Sequence, residues 1–176
     1  MAETLATVVW ELPGEGAEVC TLKDTQPGFR LAGTAILAAD GAPFLIEYAV
    51  GTDAQWRTRS VDVTCNEITI ELSADGEGGW SVPGFDGCID VDLGFTPATN
   101  TLPVRRCGLG VGQAVNLEVA WLRFPELELE RMTQRYERLA DDRYRYSSPG
   151  FTAELKVDEN GLVLEYEGLW RAIGRH

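Results

Sequence analysis

The sequence predicts an all-β protein, a roll, sandwich or barrel. Apolar and polar residues alternate with a period of two through most segments, and Gly, Pro, Asp and Asn separate those segments at close spacing. About a dozen such segments follow one another along the chain. Thr7–Leu12 ends at Pro13-Gly14, Glu18–Lys23 runs out before Pro27-Gly28, and Phe29–Ala39 stops at Asp40-Gly41. Phe44–Val50 ends at Gly51, Trp56–Thr64 precedes Asn66, and Glu67–Ser73 precedes Asp75-Gly76. Cys88–Leu93 is followed by Gly94, and Ala114–Phe124 by Pro125. Phe151–Asp158 and Leu162–Glu167 meet across Glu159-Asn160-Gly161, read as a tight hairpin because Asn-Gly tolerates the positive φ angles of a two-residue connection. Residues 126–139 are mixed: Leu127 and Leu129 alternate like a strand, while Leu129, Met132, Tyr136 and Leu139 recur at helical spacing. Strand is the favoured reading.

Residues 1–176 suit one domain with a sizeable core, or two small halves sharing one. A net charge of −13 and a pI near 4.4 repel phosphate backbones and anionic membrane surfaces, so nucleic acid is excluded as a partner. Cys20, Cys65, Cys88 and Cys107 form no C-x-x-C pair, and the single histidine is His176, so a zinc site lacks ligands and the cysteines are expected reduced. Met1-Ala2-Glu3-Thr4 is acidic and lacks a basic start followed by an apolar run, so no leader is expected, and no apolar run reaches the roughly 18 residues of a spanning helix. A cytoplasmic protein without a transmembrane segment is expected.

The chain also echoes itself. Pro27-Gly28-Phe29 returns as Pro149-Gly150-Phe151, Asp40-Gly41 as Asn160-Gly161, Ile46-Glu47-Tyr48 as Leu164-Glu165-Tyr166, and Trp56-Arg57 as Trp170-Arg171. Four correspondences in order point to two β half-units, about 27–57 and 149–171, related by duplication. Gly87–Arg106 lies between them, where a ligand cleft is expected. There Ile89, Val91 and Leu93 alternate with Asp90 and Asp92, a strand with one apolar and one acidic face. The carboxylates would lie roughly 7 Å apart and repel by about 2 kcal/mol at an effective dielectric near 20. A cation should sit opposite: Arg105 or Arg106, arriving after the proline-bracketed loop Pro97–Pro103, or a divalent metal.

Tryptophans are the other candidates. Trp121, inside the apolar run Val119–Leu122, is expected in the core. Trp56, Thr58, Ser60 and Asp62 share one strand face, with Arg57 and Arg59 on the other beside Val61 and Val63. Trp80 follows Gly76-Glu77-Gly78-Gly79, a flexible connection that would let its indole close over a ligand or anchor the turn.

Gly87–Leu93, the downstream Thr96-Pro97 and Thr99–Arg106, the earlier Trp56-Arg57-Thr58, and the closing Val157-Asp158, Gly161-Leu162-Val163 and Tyr166 resemble the putative glycolipid-binding proteins, a bacterial family first catalogued as a domain of unknown function. The likeness spans nearly the whole chain. Ala98 stands where a bulkier apolar residue is expected and Cys107 where an aliphatic one is, and neither departure touches the polar residues. The resemblance implies two curved, barrel-like half-units forming one spiral β-roll or open barrel with a cleft, and an amphiphile-carrying role.

Two functional classes follow. In the first, a non-enzymatic module takes a glycolipid-like or other lipid-like ligand in an apolar cleft. Its polar head would meet Trp56, Arg57, Trp80, Asp90, Asp92, Thr96, Asn100, Thr101, Arg105 and Arg106. No catalytic residue and no cofactor is expected. In the second, Asp90 and Asp92 hold Mg or Mn and an arginine neutralises a phosphoester, as in a metal-dependent phosphoester hydrolase. A third reading is an Asp–Arg network that merely fixes the junction. No Ser-His-Asp triad, phosphate loop or zinc motif is present.

Overall fold

The structure is a computed structural model and describes residues 2–176. Six strands form an antiparallel meander: β1 (Glu3–Leu12), β2 (Gly16–Asp24), β3 (Phe29–Ala39), β4 (Ala42–Thr52), β5 (Thr58–Cys65) and β6 (Ile68–Ser73). After β7 (Asp90–Leu93) come a 3-10 turn at Ala98–Asn100 and a short helix α1 (Thr101–Cys107). The second half is β8 (Ala114–Leu122), β9 (Leu129–Ala140), β10 (Arg143–Ser148), β11 (Phe151–Val157), β12 (Val163–Tyr166) and β13 (Arg171–Arg175).

All thirteen strands join one sheet in the order β6-β5-β4-β3-β2-β1-β13-β12-β11-β10-β9-β8-β7. The halves fuse where β1 pairs antiparallel with β13, with Val8 opposite Arg175 and Glu11 opposite Arg171. At the far edge β7 pairs parallel with β8, placing Asp92 opposite Trp121, which in turn faces Glu130 of β9. A parallel pair needs a crossover, and residues 94–113 with α1 supply it. The sheet does not close into a barrel, but β7 curls back to β5. There Thr58 N–H donates to the Ile89 carbonyl at 3.3 Å, and Val91 N–H donates to Thr58 Oγ1 at 3.2 Å. The chain is therefore an all-β open roll, as its alternation predicts. Residues 126–139 fall largely in β9, so the strand period prevails over the helical one.

Several local readings change. The Pro97–Pro103 loop is helical instead. Pro103 sits in the first turn of α1, where a missing N–H costs no hydrogen bond, and Gly108 ends the helix in the left-handed region at φ 55°. In β5 the pairing slips between Ser60, opposite Gly51, and Thr58, opposite Thr52. Arg59 is the extra residue of this bulge and points outward, so it does not share the buried face of Val61 and Val63. The β11–β12 hairpin is longer than two residues, because only Gly161 takes positive φ, at 84°. Asp158 Oδ1 accepts from the Asn160 and Leu162 N–H groups at 2.9 and 2.8 Å, which favours a turn that leaves Asn160 unstrained. The segment before Trp80 is packed: Gly78 lies against Gly87, where an added Cβ would approach Gly87 Cα to 2.7 Å.

Phe29 and Phe151 open β3 and β11, Asp40-Gly41 and Asn160-Gly161 lie in the turns that follow, and Trp56 and Trp170 precede β5 and β13.

Candidate functional site

The alternation of β7 decides the site. Val91 and Leu93 enter the apolar core, while Asp90 and Asp92 turn the other way, toward α1 and β9. Arg106, in the last turn of α1, grips Asp90 with two bonds: Nε to Oδ1 at 2.9 Å and Nη2 to Oδ2 at 2.6 Å. Burial pushes the Asp90 carboxyl up and the guanidinium pulls it back. Two consecutive residues of a helix diverge by about 100°, so Arg105 cannot face Asp90 as well. Arg105 lies over the Trp56 ring at 5.1 Å and donates to the Glu159 carbonyl at 3.3 Å.

Among the described residues no cation pairs with Asp92. Its Oδ2 accepts from Gln134 Nε2 at 2.5 Å and its Oδ1 from Thr99 Oγ1 at 3.2 Å. Burial raises its carboxyl, against those two hydrogen bonds. The two carboxylates thus have separate surroundings and do not face a common ion. Asp90 has both oxygens committed to Arg106, and among the described residues no group of three or more His, Cys, Asp or Glu is placed to hold a metal. The residues present do not fit an Mg or Mn centre.

Asp92 instead opens onto a cavity of about 670 Å³ lined by residues of β7 to β12 and the loops around them. Asp92, Thr96 and Asn100 form its polar side; Trp121, Tyr146, Phe151, Tyr166 and Trp170 form much of its wall. The rings touch in sequence: Tyr136 and Tyr146 centroids lie 5.3 Å apart, Tyr146 and Tyr166 6.1 Å, and Phe151 and Tyr166 6.2 Å. Asn100 Nδ2 donates to Tyr136 Oη at 2.8 Å. Burial first, then the charge of Asp92, raises the Tyr136 phenol, and burial likewise raises those of Tyr146 and Tyr166. All three stay protonated hydroxyls around one carboxyl.

Thr96 links this cavity to the interior of the first half. Its Oγ1 donates to Glu18 Oε1 at 2.7 Å and accepts from Ala98 N–H at 3.0 Å. Tyr48 also donates to Glu18 Oε1. Its ring can reach because Gly33 lies opposite on β3: a Cβ there would come within 2.7 Å of the tyrosine. Glu18 is 2 % exposed and its Oε2 has no hydrogen-bond partner among the described residues. Burial pushes its carboxyl up to about 8 despite the Tyr48 and Thr96 bonds.

Of the ten residues expected at a binding site, the structure brings Asp92, Thr96 and Asn100 to the cavity and places the others elsewhere. Trp56 is buried and stacked on Phe29 at 4.0 Å. Arg57 pairs with Asp53 at 2.8 Å and with Glu77. Trp80 Nε1 donates to the Cys88 carbonyl at 2.8 Å, an anchor rather than a lid. Thr101 is fully buried, with Oγ1 unpartnered. Trp121, expected in the core, is half-buried on the cavity wall, because Ala120 and Leu122 take the core-facing positions of β8. Sequence reasoning missed Glu18, Gln134, Tyr136 and Tyr146. Glu18 was detectable, as an acid that alternates with Cys20 and Leu22 in β2, and Tyr144 and Tyr146 alternate as a strand should.

The model of the family described as "Putative glycolipid-binding" matches residues 7–172. The chain is 32% identical to a DUF1089 family protein from Pseudomonas aeruginosa of known crystal structure, with a TM-score of 0.80 over 92% of this chain and 94% of that one. No curated protein matches.

Proposed function

The chain belongs to the putative glycolipid-binding family, and from that membership we propose that it holds an amphiphile, without transforming it, in the cavity between β7 and β12. One observation carries the reading. The cavity, about 670 Å³, has the size of a small-molecule site, apolar and aromatic walls, and a few convergent polar groups at one side. The apolar body of a ligand would lie along Phe151, Leu169 and Trp170, and its head would meet Asp92, Thr96 and Asn100. Asp90 and Arg106 hold α1 against β7 and so fix the strand that carries Asp92.

The reading predicts an optical signal, since Trp121 and Trp170 line the cavity. A lyso-glycolipid titrated below its micelle threshold should shift indole emission saturably, and Trp121→Phe with Trp170→Phe should remove most of the shift. Each methylene added to the chain should strengthen binding by about 0.8 kcal/mol, so the free head-group sugar binds far more weakly. Emission that answers to no lipid class, or that still shifts fully in the double variant, defeats the proposal.

A further inference from the structure

The cavity sets a carboxyl among aromatic rings, and among the described residues neither receives a cation from the protein. Asp92 Oδ1 and Oδ2 each accept one hydrogen bond, from the Thr99 hydroxyl and the Gln134 amide, and both donors are neutral. A carboxylate offers about four acceptor positions, so lone pairs remain for a further partner. Tyr146, Phe151 and Tyr166 line the same cavity as a triangle, with centroids 6.1, 6.2 and 6.1 Å apart and planes inclined by 40 to 63°. Trp121 and Trp170 extend that wall. The faces of such rings are negative.

The basic side chains are engaged elsewhere. Arg131, which lines the cavity, donates to the Asp86 and Gly84 carbonyls at 2.6 and 3.4 Å and pairs with Glu118 at 3.2 Å. Arg106 is bonded to Asp90, and Arg123 to Glu130, the other acid on the wall. Arg105 lies over Trp56 and Arg138 over Tyr144, and neither ring lines the cavity. The two lysines, Lys23 and Lys156, lie on β2 and β11 away from it. A carboxyl within an aromatic wall is the complement of a substituted ammonium group, whose alkyl substituents are weakly hydrated and lie against ring faces while its charge meets the acid. The net charge of −13 draws such a ligand toward the protein.

We propose that the cavity is a site for an organic cation, a substituted ammonium group held by Asp92 and by the rings of Tyr146, Tyr166 and Trp170. The inference rests on the amphiphile reading above only in taking the same cavity as the site, and it adds a positively charged nitrogen to the ligand. Burial raises the Asp92 carboxyl, whereas a bound cation favours its ionised form, so affinity should rise with pH as the carboxyl gives up its proton. The phenols of Tyr136, Tyr146 and Tyr166 feel the same charge, and burial keeps them protonated.

The test compares choline with dimethylbutanol, its uncharged carbon analogue, so that shape is constant and only the charge differs. Both are titrated into the native protein and followed by indole emission, since Trp121 and Trp170 line the cavity. Choline should bind saturably and at least about tenfold more tightly than the alcohol. Asp92→Asn should cut that preference to about threefold or less and remove the rise of choline affinity with pH. Met132→Lys, which adds a fixed cation on the cavity wall, should weaken choline about tenfold or more and spare the alcohol, even if the Asp92 variant does not fold. Equal binding of the two ligands, or a choline signal that never saturates, overturns the inference, and the lyso-glycolipid titration then judges the amphiphile reading separately. A full preference for choline in Asp92→Asn or in Met132→Lys overturns the place given to the cation.

Discussion

The two halves of the sheet enclose different interiors. Within β1–β6 the buried side chains are chiefly aliphatic: Leu22, Leu31, Leu37, Ile46, Val50, Val61 and Val63. Around β7 and β9–β12 aliphatic side chains such as Val91, Leu93, Leu155 and Leu162 are joined by a group of aromatic and polar ones: Tyr136, Tyr146, Tyr166, Trp170, Gln134 and Asn100. Every residue lining the large cavity lies at position 92 or beyond. Branched aliphatic chains interdigitate to crystal-like density and carry no polar atom that needs a partner. Tyrosine rings are rigid plates that meet edge to face and end in hydroxyls, so they leave gaps with polar rims. One continuous sheet therefore carries a dense wall and a chamber, and the cluster of tyrosines marks the chamber side.

This difference should be measurable as the cost of removing side-chain volume. Leu31, 1 % exposed in the dense half, should lose about 2 to 5 kcal/mol on Leu31→Ala, because a new hole opens in filled space. Met132 faces space that is already open, so Met132→Ala should cost less than about 1 kcal/mol. Urea melts of the two variants make the comparison. A Met132 cost equal to that of Leu31 would mean that the chamber is collapsed in solution.

Glu18 is the exception in the dense half, and it gives a pH signature. Its folded carboxyl titrates near 8 and its unfolded one near 4.5, so the folded state holds a proton across that window that the unfolded state has released. The contribution of Glu18 to stability is complete below about pH 4.5 and is lost as pH rises through about 8, at up to about 1.4 kcal/mol per unit. Glu18→Gln keeps an oxygen for Tyr48 and Thr96 but cannot ionise. The variant should match the native protein near pH 4.5 and melt at progressively higher temperature than it toward pH 8. A variant less stable than the native protein at pH 8 would sink this account, since it would mean that the two donors need a charged acceptor.

Much of the fold, and half of the reasoning behind the site, is already visible in the residue pattern. The acidic and apolar faces of β7 follow directly from Ile89-Asp90-Val91-Asp92-Leu93, and the need for a cation beside one carboxylate follows from charge repulsion. Which arginine answers Asp90 depended on a helix concealed by Pro97 and Pro103: read as a loop, the segment leaves Arg105 and Arg106 equally placed. The partner of Asp92 is Gln134, 42 residues away, and that pairing depends on the register of β7, β8 and β9, which no local pattern encodes. Trp56 and Trp80 show a similar limit. An indole beside a glycine or at a strand entrance reads alike whether it stacks on Phe29, donates to the Cys88 carbonyl or lines a cleft. The tyrosines of the chamber were missed for the opposite reason, because each taken singly looks like ordinary core.

The smallest expected effect separates the two neighbouring arginines. Arg106 is bonded to a buried carboxylate, whereas Arg105 is exposed and stands over Trp56, where a cation over a ring contributes about 0.5 to 1 kcal/mol. It touches neither Asp92 nor the chamber. Arg105→Ala should therefore lower stability by about that amount in a denaturant melt and leave the affinity for a lyso-glycolipid unchanged within about twofold. Should the substitution weaken binding about tenfold with little change in stability, the head group would have to sit beside α1 and Trp56 rather than at Asp92. The aromatic chamber of the second half would then be the wrong place to look for the ligand.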